Sequence, residues 1–414
     1  MNFKRTKYAC YVNYLVSACV FTLPPMLFVT FHDTYGVSYT LLGTLVLTNF
    51  CTQFLIDLIF TIFSKKFNIH LTLKIMPLLV TLGLFTYALV PTFAPDYAYV
   101  GLFVGSILFS LSAGLGEVLL SPVVAALPSD NPDRDMSALH SLYGYGVVTV
   151  VIISSIYLKI FGTENWMWLA MFWGVIQIIP CVMFCLAPMP DMNFHNDTKS
   201  KTDKKKYFGI ALCFICIFLG SAAENSMTNW ISSYMENALL IPKAVGDILG
   251  LMIFAILLAL TRTWYAKYGK NISTILLIGM IGASFCYITA GLCPYPILSM
   301  IACILVGVFS SMLWPGTLIL MEEKYPGLGV AAYALMAAGG DFGASVAPQM
   351  IGIVVDNVSL STWANELSLS LGITAEQIGM KSGMLAGSIF PILGIFLLIY
   401  IKHYFKKEES KRLS

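Results

Sequence analysis

Asp57, Glu117, Glu224 and Asp341 each stand deep inside a long apolar run, and none of those four runs contains a Lys or Arg. A carboxylate held far from water is costly, and it is kept where it faces a wet path, a partner or an ion. Acids with no cation in their own segment suit groups that alternately take up and release a proton or another cation. These four are therefore candidate proton-coupling residues. His140 opens the apolar run that follows Glu117, and its imidazole has the chemistry to relay a proton to that acid.

The polar residues around these acids keep helical spacing. Asn49, Gln53 and Asp57 fall at i, i+4 and i+8, and Asp341, Ser345 and Gln349 repeat the pattern. Ser110, Glu117 and Ser121 share one helix face, as do Ser221, Glu224, Asn225 and Thr228. Stripes of Ser, Thr and Asn can be glue between membrane helices. A carboxylate is poor glue, so the stripes that contain one are read as the lining of a wet path. Trp230 follows Glu224 in its run, Tyr143 flanks Gly144 and Trp314 precedes the Pro315-Gly316 break, and an aromatic ring with a polar tip suits the C–H face and hydroxyls of a sugar. Solute contacts are expected from Asn49, Gln53, Tyr143, Asn225, Trp230, Trp314 and Gln349. The chain has no HExxH or GxSxG pattern. Cys213 and Cys216 lack a second Cys/His pair. Neither catalysis nor a metal or cofactor is expected.

The elements that must position these residues follow from composition. Of 414 residues, 58% are hydrophobic and 11% charged, against about 25% charged in an ordinary soluble domain. The chain is a membrane protein. A span takes about 20 mainly apolar residues. Runs at 8–31, 39–63, 72–93, 99–124, 137–160, 166–188, 207–235, 243–262, 272–292, 296–320, 328–355 and 378–402 make twelve. With the N-terminus inside, 21 of 24 basic residues fall in cytoplasmic segments, and only Lys159, Lys243 and Lys381 fall outside. That asymmetry sets the orientation, with both termini cytoplasmic.

The longest polar stretch, 189–206, divides the chain into six-span halves at 1–188 and 207–414. Pro122 and Pro128 followed by Gly144 and Gly146 are echoed by Trp314-Pro315-Gly316 followed by Gly339, Gly340 and Gly343. The expected fold is all-α, with twelve transmembrane helices in two pseudo-symmetric halves and a solute site near the midplane at their junction.

The runs Gly116-Glu117-Val118-Leu119-Leu120-Ser121-Pro122, Leu139-His140-Ser141-Leu142-Tyr143-Gly144-Tyr145-Gly146 and Gly339-Gly340-Asp341-Phe342-Gly343 resemble the fucose-permease-like branch of the major facilitator superfamily, a branch of sugar–proton symporters. The resemblance implies proton symport of a small polar, sugar-like solute across the cell membrane by a monomer. It also implies a proton-coupling role for Glu117. The implied partners are the solute, protons and the bilayer, with no nucleic acid. Two features depart from the family pattern. The first span offers Asn13, Ser17 and Pro24-Pro25 where the fucose permease has an acid, and the loop after the second span reads Ser64-Lys65-Lys66-Phe67-Asn68-Ile69-His70 in place of an Asp-Arg and Gly-Arg pattern. The alternative is a proton-coupled antiporter or exporter. Antiporters of the superfamily carry a Pro-containing Gly-rich motif in the fifth span, and here that span has no Pro.

Overall fold

The computed structural model describes residues 3–63, 68–129, 132–189, 204–325 and 330–413. Among them every regular element is helical. In chain order these are α1 (Lys4–Val16), α2 (Cys19–Met26), α3 (Phe28–Tyr35), α4 (Tyr39–Phe63), α5 (Ile69–Phe93), α6 (Ala98–Ala126) and α7 (Pro132–Phe161), then α8 (Trp166–Ile176), α9 (Ile178–Leu186) and α10 (Lys204–Ser233). After two π-helical turns (Tyr234–Ala238 and Asp247–Met252) that flank α11 (Lys243–Gly246) come α12 (Ile253–Tyr268), α13 (Ile272–Leu292), α14 (Pro296–Ser310) and α15 (Leu313–Lys324). The chain closes with α16 (Val330–Ser359), α17 (Thr362–Leu371), α18 (Ala375–Gly387) and α19 (Ile389–Leu413).

Local chemistry sets the boundaries. The first predicted span is broken into α1, α2 and α3. Pro24 and Pro25 have no N–H to continue the helical ladder, and Leu27 closes the turn instead by donating to the Pro24 carbonyl at 3.0 Å. Asn68 caps α5 by accepting the Leu71 amide at 3.1 Å. Thr374 and Gln377 form a capping box at the start of α18.

Eleven helical stretches among the described residues are long and apolar enough to cross a bilayer, one fewer than the twelve runs read from the sequence. The difference is α16. It spans 30 residues over the eleventh predicted run, but Asp341, Ser345, Gln349 and four glycines dilute its apolar character. Large apolar side chains such as Ile160, Leu186, Phe285 and Phe396 are exposed along the helices, as lipid-facing surfaces require.

The helices gather into two compact units: Met1–Val37 with Thr48–Asn196, and Ser38–Leu47 with Asp197–Ser414. In the first unit, α5 and α6 meet at two glycines. A Cβ on Gly83 would lie 2.8 Å from the Gly105 carbonyl, and one on Gly105 2.7 Å from the Gly83 carbonyl. The core beneath them includes Leu73, Met76, Leu119, Leu120 and Phe184. In the second unit, α10 packs on α16, and Ile210, Cys213, Ile217, Met321 and Met336 form its core. The first turns of α4 belong to this unit as well. Asp356 of α16 accepts the Tyr39 and Thr40 amides at 3.0 and 2.6 Å, satisfying donors that a helix start leaves without partners.

Candidate functional site

In the first unit, α4 and α6 bring Asp57 and Glu117 together, with carboxylate oxygens within 4.8 Å. The cause is local. Gly114, three residues before Glu117, lets α4 approach so closely that a Cβ there would lie 3.0 Å from the Ile56 Cβ and 3.1 Å from the Gln53 Cα. Asp57 is half-buried and Glu117 is exposed. Asp57 Oδ1 has no hydrogen-bond partner among the described residues, and neither acid has an ion-pair partner among them. Two carboxylates about 5 Å apart repel by roughly 3 kcal/mol at an effective dielectric near 20. One bound proton removes that repulsion. Carboxylate oxygens also suit a hard cation.

The rest of the α4 stripe is used differently. Gln53 Nε2 donates to Asn49 Oδ1 at 2.9 Å, and the Ser110 hydroxyl of α6 donates to the same oxygen at 2.8 Å. Both residues are buried. Asn49 and Gln53 thus join α4 to α6. Tyr143 of α7 lies edge-on to Tyr14 and Phe21, with ring centroids 6.2 and 5.9 Å away. Tyr14 of α1 also lies close enough to Glu117 to feel its charge, a neighbour that the stripe pattern of α6 does not reveal. The side chain of His140 lies outside the described residues.

In the second unit, Glu224 of α10 is ion-paired. Arg262 Nη2 reaches both carboxylate oxygens at 3.1 and 3.2 Å. The cation that Glu224 lacks in its own segment thus comes from a neighbouring helix. α12 continues to Tyr268, so Arg262 lies within it. Its Nε donates to the Ser311 carbonyl at 2.8 Å. That acceptor is available for a covalent reason: the residue four positions on is Pro315, which has no N–H to give it. The helical path is interrupted there, between α14 and α15. A helix break in one segment therefore supplies the carbonyl that pins an arginine from another.

The α10 stripe is bonded within its own helix. Asn225 donates to the Ser221 carbonyl and hydroxyl at 3.1 Å, Thr228 to the Glu224 carbonyl at 3.0 Å, and Asn229 to the Asn225 carbonyl at 2.8 Å. Trp314, half-buried, packs against α16, where a Cβ on Gly340 would come within 2.2 Å of its ring. Only glycine leaves room for the indole beside Asp341, itself 4% exposed. Gln349 is half-buried with its Oε1 lacking a hydrogen-bond partner among the described residues. Trp230 has no accessible surface. Its indole N–H donates to the Pro348 carbonyl at 3.0 Å, and its ring tilts against Tyr39. It packs the unit and presents no face to a solute.

Apolar helices with acids on polar stripes are a plan shared by many transporters, and comparison narrows it. The family model for the Major Facilitator Superfamily matches residues 10–348. The chain belongs to the Major Facilitator Superfamily. Membership makes it a multi-pass transporter rather than an enzyme. Among solved structures, this superfamily member resembles a bacterial homologue of the human lysosomal transporter Spinster at TM-score 0.72 and 12% identity, covering 98% of each chain. It resembles a D-xylose–proton symporter at 0.70 and 15% identity, covering 94% of this chain and 97% of that one. It resembles the nucleoside transporter NupG at 0.67 and 16% identity, covering 98% and 100%. These likenesses establish the major facilitator fold. The comparison with curated proteins returns no match.

Proposed function

We propose that the chain is a secondary active transporter that moves a small polar, sugar-like solute together with protons by alternating access. The observation that carries this reading is the Asp57–Glu117 pair. Two carboxylates within 4.8 Å, with no ion-pair partner among the described residues, form a group suited to balancing its charge with what it binds from solution. Glu117 is its exposed member and takes the proton first. Asp57 shares it. The likeness to a xylose–proton symporter supports the sugar-like class, and the resemblance of the Glu117 run to sugar–proton symporters supports the coupling role. Asn225, Trp314 and Gln349 are the proposed solute contacts in the second unit, and Tyr143 the proposed contact in the first. The basic-residue asymmetry supports cytoplasmic termini, and the resemblance to sugar–proton symporters supports placement in the cell membrane.

The test is transport by purified protein in liposomes. Glu117→Gln should abolish uphill uptake driven by an imposed pH gradient. Counterflow exchange should persist, because exchange requires no net proton release. Uphill uptake at the wild-type rate in Glu117→Gln would remove the proton-coupling assignment.

A further inference from the structure

We propose that Arg262 is an anion-recognition residue and that the solute is a sugar acid, a carbohydrate bearing a carboxylate. This rests on the reading of the chain as a transporter of a small polar solute and makes that reading more specific. A guanidinium inside an apolar span is expensive, so its surroundings say what it is kept for. Nε is fixed on the Ser311 carbonyl and Nη2 on the two Glu224 oxygens. The N–H groups of Nη1 have no hydrogen-bond partner among the described residues. The side chain is 40% exposed, whereas that of Glu224 is 17% exposed. The arginine is thus held rigidly by two acceptors while one edge of its planar fork stays reachable. A planar fork aimed by fixed partners is the geometry that binds carboxylates strongly.

Glu224 then acts as the counter-ion that keeps the empty site neutral. Asn225 is the next residue on α10, and it donates to Ser221 of its own helix. Its side-chain carbonyl accepts no hydrogen bond among the described residues and can accept from a sugar hydroxyl. Trp314, three residues beyond the pinned carbonyl and only half-buried, packs on Gly340 and the Ile217–Met321 core and supplies aromatic surface that suits the C–H face of a pyranose. Together these groups match the parts of a hexuronate: a carboxylate for Arg262, hydroxyls for Asn225 and a C–H face for Trp314. Entry of one proton with one such monoanion would leave the loaded protein as neutral as the empty one.

The experiment measures binding of D-glucuronate and D-galacturonate, beside D-glucose and D-galactose, to the purified full-length protein by thermal shift and calorimetry at pH 7. The wild type should bind a hexuronate and show no saturable response to the neutral hexoses. The double variant Glu224→Gln/Arg262→Gln removes the pair without stranding a charge. It should keep its fold, seen as a cooperative melt, and bind the hexuronate roughly 10- to 100-fold more weakly. Arg262→Lys keeps the charge and loses the fork, so its affinity should fall in between. Three outcomes overturn the inference. Binding of neutral hexoses with no response to hexuronates would remove the anion site and leave the sugar-transport reading standing. Unchanged hexuronate affinity in the double variant would make the pair a structural pin. A lack of response to all four sugars would remove both the sugar acid and the sugar-like class.

Discussion

Each unit places acids on a helical polar stripe, and the two stripes end in opposite electrostatic states. In the first, Asp57 and Glu117 lie within 4.8 Å of one another, with no ion-pair partner among the described residues. In the second, Glu224 is clasped by Arg262 at 3.1 Å. The hydrogen bonding differs in the same way. Asn49 and Gln53 are spent joining α4 to α6 through Ser110, whereas among the described residues Asn225, Thr228 and Asn229 donate within α10. An acid in an apolar run therefore has no role of its own. What the neighbouring helix contributes decides it: a second acid makes a group that must bind something from solution, and an arginine makes a neutral pair that leaves a guanidinium edge on offer.

The sharpest way to break this comparison is to neutralise one acid in each unit. Glu117→Gln should abolish uphill uptake, as argued above, and Asp57→Asn should reduce it severely. Glu224→Gln should leave accumulation driven by the pH gradient measurable, because the pair it disrupts is already charge-balanced. Equal loss in Glu117→Gln and Glu224→Gln liposomes would mean that the two acids form one relay.

Next in size is the stability cost of stranding a charge. Arg262→Ala leaves Glu224 carrying a mostly buried carboxylate without a counter-ion. Breaking a fully buried pair costs about 3–5 kcal/mol. Arg262 is 40% exposed, so water screens part of that, and a loss of about 2 kcal/mol is expected. Adding Glu224→Gln should restore most of the melting temperature. A double-mutant cycle with no coupling would show that the contact is energetically idle.

How much of this could be read from the sequence depends on which residue is asked. The four acids and their stripes are legible because helical spacing maps directly onto faces, and the apolar composition makes the all-helical membrane fold unavoidable. Arg262 is not legible. It closes an apolar run, where a basic residue ordinarily marks a loop, and its partner carbonyl exists only because Pro315, four residues after Ser311, withholds an N–H. That proline is visible in the sequence, but which side chain reaches the orphaned carbonyl is a tertiary fact. Trp230 fails differently. Its place after Glu224 in the run singles it out, but six residues on it turns to the far side of α10 from the stripe, where Pro348 and Tyr39 cover it. In α16 the polar stripe that identifies the helix as functional is the same feature that weakens its apolar signal.

A smaller contrast separates glue from lining. Asn49→Ala should lower stability by about 0.6–1.7 kcal/mol, the range for hydrogen bonds between membrane helices, and leave solute affinity unchanged in the folded protein. Asn225→Ala should do the reverse, weakening binding roughly 5- to 150-fold with little change in the melt. Both quantities are read on the same purified variants. Parallel losses in both would erase the distinction between the α4 and α10 stripes.

The smallest effect tests whether position, rather than charge, makes the Asp57–Glu117 pair special. The first unit does contain an ion pair, near its surface. Lys7 Nζ lies 3.0 Å from both Asp135 oxygens, and the Ser129 hydroxyl donates to the same carboxylate at 2.7 Å. The Ser129 hydrogen bond first, then Lys7, hold the Asp135 carboxyl below its ordinary range. A carboxyl depressed in the folded state adds stability above the unfolded aspartate value of about 4. That contribution fades as pH falls through the lower folded value. Asp135→Asn should therefore flatten the acid limb of a melting-temperature profile recorded from neutral pH down to about pH 3. At neutral pH it should cost less than about 1 kcal/mol, as exposed pairs do. Uphill uptake should be untouched, because Lys7 already balances this acid. Loss of uptake in Asp135→Asn would show that a cation-paired carboxylate also carries coupling, and the contrast between the two units would then no longer mark out the proton site.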